Sequence, residues 1–352
     1  MFVDPNALSS VAAFHRLFRA PILASPAIPS ADRCQLRVSL LKEEVQELAD
    51  AIKDNDLVEI ADALADIQYV LSGAVLEFGM GGIFKTLFDD VQRSNMSKAC
   101  KTLEEAEATR AHYKTTKDTE SYVQQISDDQ WLVYRQGDDK ALKSVEYSQT
   151  DLAPIVAAGV AAPCGADEAT FPEPESLNSV AAFHRLFRCP VVMQPAIPSA
   201  DRCQLRVSLL EEEVQELADA IKDDDLTEVA DALADIQYVL SGAVHEFGMG
   251  HIFKTLFDEV QRSNMSKACA TMEEAERTQE HYRATKGVES TVEEVDGQFL
   301  VFREGDRKVL KSVEYSPASL KSILDAEEME QESNEKIVAP RASPTSVRTG
   351  VQ

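Results

Sequence analysis

Leu40-Leu41-Lys42-Glu43-Glu44-Val45-Gln46-Glu47, followed shortly by Glu59-Ile60-Ala61-Asp62, decides how this chain is read. Both segments have the apolar spacing of helices. Glu44 and Glu47 (i, i+3) therefore share one side of one helix, and Glu59, Asp62 and Asp66 (i, i+3, i+7) share one side of the next. The short Asp54-Asn55-Asp56 break lets the two helices pair so that their acidic stripes face each other. Carboxylates crowded in this way repel, and a hard divalent cation with oxygen ligands is the simplest species that reconciles them.

The stretch occurs twice. The second copy reads Leu209-Leu210-Glu211-Glu212-Glu213-Val214-Gln215-Glu216, then Glu228-Val229-Ala230-Asp231. At an offset of 169 residues, positions 11–100 align with 180–269 without a gap, and 78 of the 90 pairs are identical. A period this long means duplication of a whole domain rather than a solenoid repeat. After one deletion near Asp128, Trp131-Leu132-Val133-Tyr134-Arg135 pairs with Phe299-Leu300-Val301-Phe302-Arg303, and both copies end in Leu-Lys-Ser-Val-Glu-Tyr-Ser.

Each copy reads as a short helix with Val11, Phe14, Leu17 and Phe18 on its apolar side, stopped by Pro21. A long helix from Ser30 or Asp32 to Lys53 follows, then a third capped by Asp56 and ended by Gly79, and a fourth from Ile83 to Arg93. Thr102-Leu-Glu-Glu has capping-box form and opens a polar helix, after which Tyr122-Val123 and Trp131-Leu-Val-Tyr read as a β-hairpin. The expected fold is mainly α: two tandem four-helix domains, 8–152 and 176–324, each with a small C-terminal hairpin. Residues 153–175 read as a linker, and 325–352 as an acidic, then Pro/Ser-rich tail outside the fold.

Composition narrows the function. A net charge of -26 argues against a nucleic-acid or anionic-lipid surface, and no apolar run approaches the length of a membrane span. Six cysteines without a CxxC pair imply free thiols in a reducing compartment, the cytoplasm. An inward acidic cluster holding one or two Mg²⁺ per domain suits hydrolysis of a phosphate anhydride. A solvated helix face is the plain alternative; matched spacing on two successive helices, repeated in both copies, argues against it.

Glu43-Glu44-x-x-Glu47 followed by Glu59-x-x-Asp62 resembles the signature of the all-α NTP pyrophosphatase superfamily, which includes MazG-like proteins, dimeric dUTPases and phosphoribosyl-ATP pyrophosphohydrolase. Ser94-Asn95-Met96-Ser97-Lys98 and the Lys140–Ser148 segment are similar to its MazG-like, phosphoribosyl-ATP pyrophosphohydrolase-like branch. The resemblance implies that Glu44, Glu47, Glu59 and Asp62, with Glu213, Glu216, Glu228 and Asp231, ligate Mg²⁺, for which Mn²⁺ is a substitute. It makes Glu43 and Glu212 the residues that orient or deprotonate the attacking water. Asn95, Lys98, Asn264 and Lys267 would reach phosphate or sugar, with Asp66 and Asp235 beside substrate or behind the ligands. The implied reaction is (d)NTP to (d)NMP and pyrophosphate, clearing unwanted nucleotides, and the implied assembly is a pseudo-dimer of the two copies within one chain, open to further dimerisation. Alternatives are phosphoribosyl-ATP hydrolysis in histidine biosynthesis, disfavoured because Tyr69 is followed by Val70 rather than His, and a silent nucleotide- or metal-binding module. His15 and His184 read as structural; His245 and His251, present in one copy only, lie outside any shared mechanism.

Overall fold

The computed structural model describes residues 1–164 and 170–338. The first half contains α1 (Ala7–Phe18), α2 (Ala31–Asp54), α3 (Leu57–Glu77), α4 (Phe84–Met96) and α5 (Leu103–Lys117), then β1 (Ser121–Ser127), β2 (Gln130–Arg135) and β3 (Ala141–Leu142). After α6 (Ala153–Ala161) the order repeats as α7 (Ser176–Phe187), α8 (Ala200–Lys222), α9 (Leu226–Glu246), α10 (Phe253–Met265), α11 (Met272–Lys286), β4 (Ser290–Val295), β5 (Gln298–Arg303) and β6 (Val309–Leu310). Helix α12 (Leu320–Val338) ends the described chain. The fold is mainly α in two tandem repeats, each with a three-stranded antiparallel sheet near its end.

Local chemistry sets the element boundaries. Asn55 takes the left-handed conformation that ends α2 (φ 56°), and Asp56 Oδ1 then accepts from the amides of Val58 (2.9 Å) and Glu59 (3.2 Å) to start α3. At the far end of α3, Gly79 has φ +70°, and a Cβ there would lie 1.9 Å from the Ser25 carbonyl oxygen, so the turn accepts glycine alone. The Thr102 capping box forms as its sequence predicts: Thr102 Oγ1 accepts from Glu105 N (3.1 Å) and Glu105 Oε2 from Lys101 N (2.9 Å). Helix α1 begins at Ala7, and α4 runs past its predicted end at Arg93 to Met96, which places Asn95 inside its last turn.

The two halves share one continuous core. Helices α3 and α9 lie against each other at its centre, α4 packs on α9, α10 packs on α3, and α2 meets α8. Gln68 and Gln237, separated by the duplication offset, exchange two amide hydrogen bonds of 2.8 Å across the local twofold, leaving neither buried amide unsatisfied. The sheets cross over as well. Alternation along β2 sends Val133 to Cys100, Ala106 and Leu142, and sends Leu132 and Tyr134 to Leu186 of α7; Leu300 and Phe302 meet Leu17 of α1 in the same way.

Two stretches depart from expectation. Within 153–175, expected to be a linker, residues 153–161 form α6, whose Val156 is buried in the shared core. Past it, Phe171-Pro172-Glu173-Pro174 is the second copy of Phe2-Val3-Asp4-Pro5. Each segment caps the first helix of the opposite half: Asp4 Oδ1 accepts from Leu177 N (2.9 Å), and Glu173 accepts from Leu8 N (3.3 Å) and Ser9 N (3.0 Å). In the tail, expected to stay outside the fold from 325, the helix begun at Leu320 continues to Val338, because Leu320 and Leu324 anchor its first turns in the core. Residues 165–169 and 339–352 of these two stretches lie outside the described residues. Among the described residues no helix is long and apolar enough to cross a membrane.

A buried ionic network braces each half. Glu77, at the end of α3, accepts from both Arg33 and Arg37 of α2; burial works to raise its pKa, but these two bonds hold it below the usual range. His15 Nδ1 donates to the Pro21 carbonyl (2.9 Å), which leaves Nε2 to accept from Arg37 (3.3 Å). Burial and the Arg37 charge push its pKa down to about 4, so the ring is neutral. Glu246, Arg202, Arg206 and His184 repeat the arrangement. Arg37→Ala leaves the buried Glu77 carboxylate with Arg33 alone and is expected to cost about 3 kcal/mol in urea unfolding, whereas Arg19→Ala, which breaks an exposed pair with Glu293, is expected to leave the unfolding midpoint almost unchanged.

Candidate active site

The α2–α3 hairpin aims six carboxylates at one crevice. Glu44, Asp62 and Asp66 are half-buried on its walls, while Glu43, Glu47 and Glu59 are exposed at its rim. Burial raises the Glu44 pKa to about 8, helped by the charges of Asp66, Glu47, Glu43 and Asp62 in that order. Asp66 is raised to about 7, by burial and then by Asp62. Asp62 is raised too, by burial, Glu59 and Glu47. Glu44, Asp62 and Asp66 thus lie within electrostatic reach of neighbouring acids on both helices of the hairpin.

The α8–α9 hairpin repeats this. Glu213 is pushed up to about 8 by burial, Asp235, Glu216, Glu212 and Asp231. Asp231 is raised to about 6 by burial, Glu228 and Glu216, and Asp235 to about 7 by burial and Asp231. Glu213 Oε2 and Asp231 Oδ1 are buried with no hydrogen-bond partner. Orphaned, partly desolvated carboxylate oxygens are of the chemical type that a hard cation such as Mg²⁺ takes as ligands. Among the described residues no group of three or more acidic, histidine or cysteine side chains is arranged to hold a metal ion.

The opposite wall comes from the other half. Lys267, just past α10, lies close enough to Asp66 for its charge to oppose the rise in the Asp66 pKa, and Asn264 stands beside the Tyr69 hydroxyl. Lys98, just past α4, does the same for Asp235, and Asn95 stands beside Tyr238, whose hydroxyl donates to Gln92 Oε1 at 2.8 Å. Each lysine donates to its own asparagine (Lys98 to Asn95 and Lys267 to Asn264, both 2.6 Å). Glu43, Glu44, Glu47, Glu59, Asp62 and Asp66 thus share a site with Asn264 and Lys267, and Glu212, Glu213, Glu216, Glu228, Asp231 and Asp235 share one with Asn95 and Lys98. The crossing follows from the packing of α10 on α3 and of α4 on α9.

Aromatic rings line this second wall, where helix periodicity alone predicts an apolar, core-facing side. Phe14 stacks on Phe18 (4.3 Å between centroids, 26°) and meets Tyr69 edge-on (5.7 Å, 79°), with the Lys267 ammonium 6.0 Å from the Phe14 ring. Phe183, Phe187 and Tyr238 repeat the cluster. Both phenylalanines are only half-buried, and the Phe-x-x-x-Phe spacing on a short helix was their one sequence signal. The histidines belong elsewhere. His245 is buried, with Nε2 2.7 Å from the Leu177 carbonyl, and His251 pairs with Glu327 of α12.

A family model described as phosphoribosyl-ATP pyrophosphohydrolase matches the chain twice, at residues 11–95 and 180–264. The chain is a tandem-duplicated member of the all-α NTP pyrophosphatase superfamily. Both matches run from the first helix of the superfamily repeat to the asparagine that closes the opposite site, so each takes in the acidic hairpin and the helix that crosses over. Uncharacterized protein L479 of Acanthamoeba polyphaga mimivirus is 24% identical over 296 residues, covering 83% of each chain. That alignment is longer than one repeat. No solved structure matches the chain significantly. Membership of this superfamily supports a nucleotide pyrophosphohydrolase-like function for the chain.

The raised carboxyl pKa values fix a sign. Glu44 and Glu213 are protonated more readily in the folded chain than in the unfolded one, so their contribution to stability is fully present below about pH 4.5 and is lost as pH rises through about 8. Metal-free protein is expected to lose melting temperature between about pH 4.5 and 8, with MgCl₂ restoring most of the loss at the upper end. Glu44→Gln with Glu213→Gln is expected to flatten the pH dependence, read by calorimetric melting with and without chelator.

Proposed function

We propose that the chain is a Mg²⁺-dependent nucleoside triphosphate pyrophosphohydrolase that cleaves (d)NTP to (d)NMP and pyrophosphate and removes unwanted nucleotides from the pool. The observation that carries this reading is the pairing, in each site, of a strained carboxylate wall from one half with an Asn-Lys wall from the other. A metal-chelated triphosphate is complementary to both. Mg²⁺ would supply the positive charge that neutralises the phosphate oxygens, and it commonly binds through one or two carboxylates together with substrate phosphates. That habit fits an open carboxylate set, and Glu44, Glu47, Glu59 and Asp62 with their counterparts would hold it.

The chain's own groups then have separable tasks. Glu43 and Glu212, at the rim, take a proton from water directed at the α-phosphorus; the bond from that phosphorus to the bridging oxygen breaks and pyrophosphate departs with the electron pair. Lys98 and Lys267 meet the anion as point charges. The stacked phenylalanines offer the base a face that reads shape rather than hydrogen-bonding pattern, which suits a broad range of bases. In this reading the two halves act as the two subunits of a dimer fused into one chain.

Incubation with a panel of dNTPs and noncanonical NTPs plus Mg²⁺ is expected to yield monophosphate and pyrophosphate; orthophosphate, or no product, would overturn the proposal. Crossed variants test the composite sites. Glu44→Gln with Lys267→Ala damages one site and is expected to leave about half the activity, whereas Glu44→Gln with Lys98→Ala damages both and is expected to leave almost none. The reverse order, with Glu44→Gln and Lys98→Ala leaving about half the activity and Glu44→Gln and Lys267→Ala almost none, would place each lysine with its own half's acids.

A further inference from the structure

Beside Lys98 stands a second cation that the reading above does not use. The Ser144 amide donates to the Lys98 carbonyl (3.1 Å), so the segment after β3 returns alongside the end of α4 and sets Lys143 next to Lys98. Lys143 Nζ lies 4.3 Å over the ring of Tyr147, whose hydroxyl is bonded to Ser94 Oγ (3.1 Å), one residue before Asn95. The second half repeats every element. Ser312 N donates to the Lys267 carbonyl (3.0 Å), Lys311 Nζ lies 4.1 Å over Tyr315, and Ser263 Oγ donates to Tyr315 Oη (3.3 Å).

No carboxylate lies within ion-pair distance of these ammonium groups, although Asp235 and Asp66 are in longer reach of Lys98 and Lys267. In a chain with 61 acidic and 35 basic residues, and among the described residues, none of Lys98, Lys143, Lys267 and Lys311 forms an ion pair. Lys98 and Lys267 are instead partly desolvated, and the charge of the neighbouring lysine further disfavours their protonated form. Two cations held side by side, one fixed to an aromatic face and one to an asparagine, are complementary to an anion with adjacent charged groups.

We propose that Lys143 with Lys98, and Lys311 with Lys267, form the subsite that holds the two terminal phosphates of the substrate and the pyrophosphate they become. This rests on the pyrophosphohydrolase reading for its orientation: the carboxylate wall takes the metal side of the triphosphate, and the paired lysines take the leaving end. Lys143 and Lys311 are then phosphate-binding residues contributed, like Asn95 and Asn264, across the twofold.

Calorimetric titration of the full chain with inorganic pyrophosphate in the presence of Mg²⁺ tests this. Lys143→Met with Lys311→Met is expected to weaken pyrophosphate binding by about tenfold while leaving monophosphate binding within about twofold, and Lys143→Arg with Lys311→Arg is expected to restore it. Both lysines are exposed, so the substitutions leave the core intact, which circular dichroism checks. Equal pyrophosphate affinity in wild type and the Met variant overturns the proposal, as does a wild type that binds no pyrophosphate. Because the titration contains no nucleotide, either result is read independently of whether the chain hydrolyses triphosphates.

Discussion

Ala61, Ala63, Leu64, Ala65 and Ile67 run round most of α3 and are all buried, so α1 and α2 of the same half do not suffice to cover it. A helix apolar on nearly every side must be enclosed by neighbours on nearly every side. Helix α9 and helix α10 supply the missing cover, and α3 and α4 do the same for α9. The Gln68–Gln237 bonds then fix the register of the two central helices, because a slip would bury two amides without partners.

From this enclosure the composite sites follow. When α10 covers α3, its C-terminal end carries Asn264 and Lys267 to the crevice where Glu44, Asp62 and Asp66 crowd together. The one uncovered side of α3 is thus the side on which its carboxylates lie, and the helix that completes the core also completes the site. Burial that raises the pKa of Glu44 to about 8 is a cost to the fold when the carboxyl ionises. The same packing that stabilises the protein thus creates an electrostatic deficit, which in the proposed function a metal-chelated anion would relieve.

Duplication within one chain frees the two halves to differ. The twelve differences between the aligned segments spare Glu43, Glu44, Glu47, Glu59, Asp62 and Asp66, their counterparts, and both Asn-Lys pairs. One falls where α2 and α8 meet: Lys42 bonds to Gln215 (3.1 Å), whereas its counterpart is Glu211. Two identical subunits would face like with like at this position. A fused pair is free of that restriction, and Lys42 and Glu211 present opposite charges to a shared cleft.

What the sequence by itself determined is local: helix periodicity, the Asp56 and Thr102 caps, the Gly79 turn, and the i, i+3 spacing that puts the acids of each helix on one side. These are legible because propensity, capping and side-chain direction act within a few residues along the chain. Only the tertiary structure decided which half's acids Lys98 and Lys267 serve, that α6 and the start of α12 join the core, that Arg37 and Glu77 form a buried pair, and that Phe14 and Phe18 face the crevice. Each of these is a contact between residues tens or hundreds of positions apart. Such a contact depends on which surfaces remain to be buried once the helices exist, and α3 and α9 find that cover only in each other's half.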